Sequence, residues 1–87
     1  RDVAFLIRRE LEACEVLLPA EESHEELLEK VQIFDIYEGT NLPAGMKSLG
    51  LRFSYRSADR TLTDDEVTEV HGRIVQAIVR VTGAAIR

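Results

Sequence analysis

The sequence predicts an α+β domain with two helices packed on one face of a four-stranded antiparallel sheet. Three observations carry this. Apolar and polar residues alternate with a period of two over residues 1–8, 28–37 and 47–56. Apolar residues recur at helical spacing after the first of these runs and again after the third. A short apolar tail then follows a glycine at the end of the chain.

In the first run, Arg1 to Arg8, the residues Val3, Phe5 and Ile7 face inward, with Asp2, Ala4 and Leu6 on the other side. From Glu10 the pattern turns helical, and Leu11, Cys14 and Leu18 share a face with Leu17 beside them. Pro19 lacks an amide donor and crowds the preceding turn. The first helix is therefore expected to be broken or shifted between Glu10 and Glu26, with Ser23 to Glu26 as a capping box for a second turn. Strand two is expected over Leu28 to Tyr37 and strand three over Lys47 to Arg56. The loop between them holds Gly39, Pro43 and Gly45, residues suited to tight turns. After a connector, Thr63 caps the last helix with Glu66 reaching back and Leu62 stapled on Val67. Asp64, Asp65 and Glu66 suit the positive end of its dipole. Val67, Val70, Ile74, Ala77, Ile78 and Val81 form its buried stripe. Gly83 ends it, and Ala84 to Arg87 is a short final strand. The order is the split β-α-β-β-α-β, or ferredoxin-like, sandwich. That plan hosts many functions and by itself assigns none.

The 87 residues, 45% apolar and 31% charged, suit one small globular domain, 1–87, with a modest core. No apolar run is long enough for a membrane span. The chain opens directly in a strand, and we expect an excised domain or a C-terminal fragment. A single cysteine, Cys14, excludes an internal disulfide, and His24 and His71 have no partners at metal-ligand spacing and are expected at the surface. No nucleophile–base pair or phosphate loop is visible. The net charge of −5 argues against bulk electrostatic binding of nucleic acid. The distribution qualifies this, because eight of the sixteen acidic residues lie between Glu10 and Glu29 and four more open the last helix. The helical side is expected to be acidic and the sheet side mildly basic.

The hairpin from Gln32 to Arg56 carries the candidate site. In its second arm Leu49, Leu51, Phe53 and Tyr55 form an apolar face, opposite Ser48, Gly50 and Arg52. Setting residue 37 across from 48 brings Asp35 to Gly50 and Ile33 to Arg52. Phe34 and Ile36 then belong to the core. The open face carries Asp35, Tyr37, Ser48 and Arg52 around the gap at Gly50. A carboxylate, an aromatic ring, a hydroxyl and a guanidinium on a bare sheet suit a binding surface. An ordinary solvated sheet face presents the same pattern.

Four phrases in order are more specific: RDVAFLI, IFDIYEG, LPAGMKSLGLRF and DRTLTDDEV. Together they resemble the ferredoxin-fold anticodon-binding domain at the C-terminus of the β subunit of bacterial phenylalanyl-tRNA synthetase, over almost the whole chain. The resemblance implies an RNA-binding module in a cytoplasmic ligase, receiving the anticodon loop of phenylalanine tRNA on the open face. It implies that Tyr37 stacks on the first anticodon base. Asp35 and Ser48 would offer polar contacts to that base, with Ala4 a close backbone neighbour. Its partners would be that tRNA, the rest of the β subunit and the α subunit of a heterotetramer. The domain would hold no cofactor and no catalytic residue, while the full enzyme would use ATP and magnesium. Arg52 joins the site from its place on the sheet, as a phosphate contact or stack; a solvent-facing strand arginine is its other reading. Lys47 and Arg56 are expected as surface charges, and Arg60 as a residue ordering the connector.

Two alternatives stand beside this. A general single-stranded RNA reader is disfavoured because strand three lacks exposed aromatics. The other is a regulatory module binding a small molecule, which in this fold usually dimerises and binds at the interface, or an interaction domain pairing edge strands; anticodon binding needs the face bare.

Overall fold

Strands β1 (Asp2–Arg8), β2 (Leu28–Tyr37), β3 (Met46–Tyr55) and β4 (Ala85–Ile86) alternate with helices α1 (Ala13–Glu21) and α2 (Asp64–Thr82) in the computed structural model, which describes residues 1–87. The strand order is β2-β3-β1-β4 with every pairing antiparallel, so the expected ferredoxin-like sandwich is present. The two central strands supply Phe5, Ile7, Leu49, Leu51 and Phe53 to the core. Val16 and Ala20 of α1, with Val70, Ile74, Val75 and Ile78 of α2, close over them. Both helices therefore cover one face and leave the other free of helix.

Helix α2 forms as its sequence dictates. The Thr63 hydroxyl accepts from the Glu66 amide at 3.2 Å, and the Glu66 carboxylate accepts from the Thr63 amide at 3.1 Å. Gly83, left-handed at φ +75°, closes the far end with its amide on the Val79 carbonyl. Val81 departs from the expected stripe and is 65% exposed. The stripe has passed beyond the sheet at that last turn.

Helix α1 corrects the expectation more. Pro19 neither breaks nor shifts it, but sits buried inside a single nine-residue helix. So near the C-terminal end the ring removes only one ladder bond, and the helix still closes with the Glu22 amide on the Leu18 carbonyl at 2.8 Å. The capping box lies at Glu12 and Glu15, not at Ser23. Ser23 instead donates to the Ala20 carbonyl at 2.6 Å beyond the helix end, and no second helical turn follows. With the helix starting at Ala13, positions 13, 16, 17 and 20 form the inner stripe. Cys14 and Leu18 face outward, Leu18 at 50% exposed.

The β2–β3 hairpin is closed at its loop end by a turn in which the Met46 amide donates to the Pro43 carbonyl. Gly45 occupies the third position at φ +79°, where a side chain would be strained. His71, expected at the surface, is partly buried. Its ring packs edge-on against Phe53, and its Nδ1 lies 2.6 Å from the Tyr55 hydroxyl. Burial pushes the Tyr55 phenol up to about 12 and pulls the His71 imidazole below its ordinary value.

Candidate nucleic-acid interface

The open face is built in rows across the sheet. Tyr37 pairs with Ser48, and Ser48 with Leu6; Asp35 pairs with Gly50, and Gly50 with Ala4. Asp35, Tyr37, Ser48 and Ala4, proposed from sequence, thus occupy two adjacent rows on the helix-free side. Arg52, in the next row, pairs with Gln32 and Asp2.

Ile33 does not pair with Arg52 as expected. A bulge between Ile33 and Asp35 shifts the register by one, so Ile33 pairs with Leu51 and turns toward the core. The extra residue is Phe34. In a bulge, two residues of one strand oppose a single partner, here Gly50. A Cβ built on Gly50 would lie 2.9 Å from the Phe34 ring and 3.3 Å from the Asp35 Cβ. Phe34 and Asp35 therefore flank the glycine on the same face. Phe34, expected in the core, is 44% exposed. Ile36, also expected in the core, keeps its place opposite Leu49 but is 58% exposed, because β2 is an edge strand that the helices cover thinly.

Phe34 is the residue that strict alternation misses. Its signal was indirect, since β2 carries apolar residues on both parities and faces a glycine that leaves room for a ring. Ser48 has the expected parity, yet it is only 2% exposed between its cross-strand neighbours Tyr37 and Leu6. A ligand reaches its hydroxyl only after a neighbour moves.

Each aromatic ring on this face has a guanidinium over it. The Arg87 guanidinium carbon lies 5.5 Å from the Tyr37 ring centre, and that of Arg52 lies 4.8 Å from the Phe34 ring centre. Arg52 is also fixed by two bonds to Asp2, Nε to Oδ1 at 2.9 Å and Nη2 to Oδ2 at 3.1 Å. This pairing holds the Asp2 carboxyl below its usual range and raises the Arg52 guanidinium. Tyr37 is steadied at its tip, where its hydroxyl donates to Asn41 Oδ1 at 2.5 Å. Asp35 is exposed and forms no ion pair. The arrangement offers two π-faces, one free carboxylate and planar cations on a flat surface. Arg60 is turned away to Glu66, bonding both its carboxylate oxygens from the connector as expected. A cleft of about 740 Å³ is lined by Arg9 and by residues of the hairpin loop, Glu38, Gly39 and Met46 among them, and one of about 580 Å³ lies between the ends of α1 and α2 near Leu18, Pro19 and Val81.

A family model described as ferredoxin-fold anticodon binding domain matches residues 1–87, and the chain belongs to that family. Among curated relatives, it is 58% identical to the phenylalanine--tRNA ligase beta subunit of Syntrophus aciditrophicus. It is 42% and 40% identical to the proteins of the same name from Shouchella clausii and Trichormus variabilis. Each match covers the whole of this chain and 11% of the relative's length, so the chain spans about a tenth of the proteins it matches.

Proposed function

We propose that this domain receives the anticodon loop of phenylalanine tRNA on its open sheet face, as a non-catalytic part of a cytoplasmic phenylalanine--tRNA ligase β subunit. The observation that carries this reading is the adjacency of exposed Tyr37 and unpaired Asp35 on the face without helices. Unpaired loop bases are commonly splayed onto such a face, stacked on aromatic rings and read along their edges. Tyr37 stacks on the first anticodon base. Asp35, an acceptor only, takes the N1–H and N2–H₂ donors of guanine, and adenine offers it no matching pair. The Ser48 hydroxyl adds a contact once Tyr37 or Leu6 shifts. Ala4, beside Gly50, keeps the backbone approachable. Arg52 turns its guanidinium to base or phosphate while Asp2 holds it.

ATP, magnesium and the amino-acid activation site then belong to other parts of the enzyme, including an α subunit in a heterotetramer. The test is titration of the domain with phenylalanine-tRNA anticodon stem-loops bearing guanine or adenine at the first position. Amide shifts should concentrate on β2 and β3, with the guanine form bound more tightly. Shifts confined to the helices, or equal binding of both RNAs, would refute the reading.

A further inference from the structure

We infer that Phe34, with Arg52 beside it, is a second stacking position that holds the unpaired base next to the one on Tyr37. This rests on the anticodon reading above and extends it to a residue that alternation assigns to the core. A bulge turns Phe34 out of the core and lays its ring beside Gly50, on the same face as Tyr37. The two rings occupy neighbouring rows, those of Gly50 and Ser48, separated by two residues along β3, about 6.6 Å. Asp35 stands between them in sequence, on the same face.

A sheet that binds a single strand uses more than one ring, commonly stacking two or three successive bases, and any base has a π-face to offer. Arg52 over Phe34 does not close the position. A guanidinium plane stacks on bases as a ring does, and its two bonds to Asp2 hold it in place for that. The charge here suits a nucleic acid too, since Arg52 and Lys30 lie in the next two rows, offsetting Asp2 and Asp35, while most acidic residues crowd the helices. The competing account is that Phe34 only covers the glycine gap, as aromatic rings do elsewhere in sheets. The two accounts separate on chemistry, because leucine covers a gap and lacks a π-face.

The experiment uses the full-length protein carrying this domain, with Phe34→Leu, Phe34→Tyr or Tyr37→Leu. Its probes are phenylalanine tRNA, intact or abasic at the first anticodon base or at either neighbouring base. On intact tRNA, Phe34→Leu should weaken binding roughly tenfold and Phe34→Tyr far less. That loss should shrink to within about twofold on the tRNA lacking one neighbouring base, because a contact already absent cannot be lost again. The loss from Tyr37→Leu should persist on that tRNA and vanish on the one lacking the first anticodon base. A 2-aminopurine at the coupled position should be quenched by wild type and not by Phe34→Leu. If Phe34→Leu costs nothing, or costs the same on every tRNA, the second position does not exist and Phe34 is a gap cover. If Tyr37→Leu has no effect on any tRNA, the anticodon reading itself fails.

Discussion

At Gly39 an added methyl group would overlap the hydroxyl end of Tyr37, so Gly39→Ala has to displace that ring. The displaced atoms are the tip of a surface side chain, and the core is untouched. Gly39→Ala should therefore weaken stem-loop binding by part or all of one stacking contact, up to ~1–3 kcal/mol. Stability in a denaturant titration should change by less than about 0.5 kcal/mol. A large stability loss with unchanged binding would show that Tyr37 does not act through the placement seen here. Asp35→Ala separates base reading from charge. Losing an edge-reading carboxylate should lower affinity for guanine-bearing RNA and narrow the gap to adenine. Losing a repulsive charge should instead tighten both RNAs alike. The two effects differ in sign for the cognate RNA, and parallel titrations of both stem-loops decide between them.

Among the elements, α2 was legible in advance and α1 was not, for a reason visible in their residues. Thr63, Glu66 and Gly83 mark the ends of α2 with a reciprocal cap at one end and a left-handed glycine at the other. Thr63→Ala should cost ~1 kcal/mol as a lost cap. Ile74→Ala, emptying a fully buried site, should cost about 2–5 kcal/mol. Denaturant titrations that reverse this order would show the stripe or the cap to be misplaced. In α1 a buried proline overrode its propensity, and the one capping box read from the sequence, at Ser23, was false. The placement of Asp35 and Tyr37 across from Gly50 and Ser48 was legible because alternation along β3 leaves them one face. Phe34 and Ile33 were not, because nothing local announces a bulge. His71 joins α2 to β3, and its imidazole is pulled below the ordinary value by burial first and by the Arg1 charge second. Above pH ~6.5 both folded and unfolded chains hold it neutral. As pH falls below that, the unfolded chain binds the proton first, so stability declines until the lowered folded value is passed. Wild type should lose stability between pH 7 and 5 relative to His71→Gln, and identical pH profiles would remove His71 from the account.

Across the whole molecule, a chain of net charge −5 can bind a polyanion only if its acids lie away from the contact. Twelve of its sixteen carboxylates fall between Glu10 and Glu29 or at the start of α2. Several are already engaged, such as Glu25 and Glu69 with Arg73, and Glu66 with Arg60. On the open face the cations are Lys30, Arg52 and Arg87, against Asp2 and Asp35. Three cations on a single strand limit the logarithmic salt slope to about −2, since each neutralised phosphate contributes ~0.7. Asp2 already balances Arg52, so Arg52→Ala should change the slope little, whereas Arg87→Ala should flatten it by up to about 0.7. Tyr37→Ala should lower affinity at every salt concentration and leave the slope unaltered, because stacking releases no counterions. Binding of the anticodon stem-loop to the domain, measured across a salt series for wild type and these three variants, tests all of this at once. A wild-type slope much steeper than −2 would mean that the RNA lies on cations outside the open face. A Tyr37→Ala variant that changes slope rather than intercept would mean that the ring only positions charge.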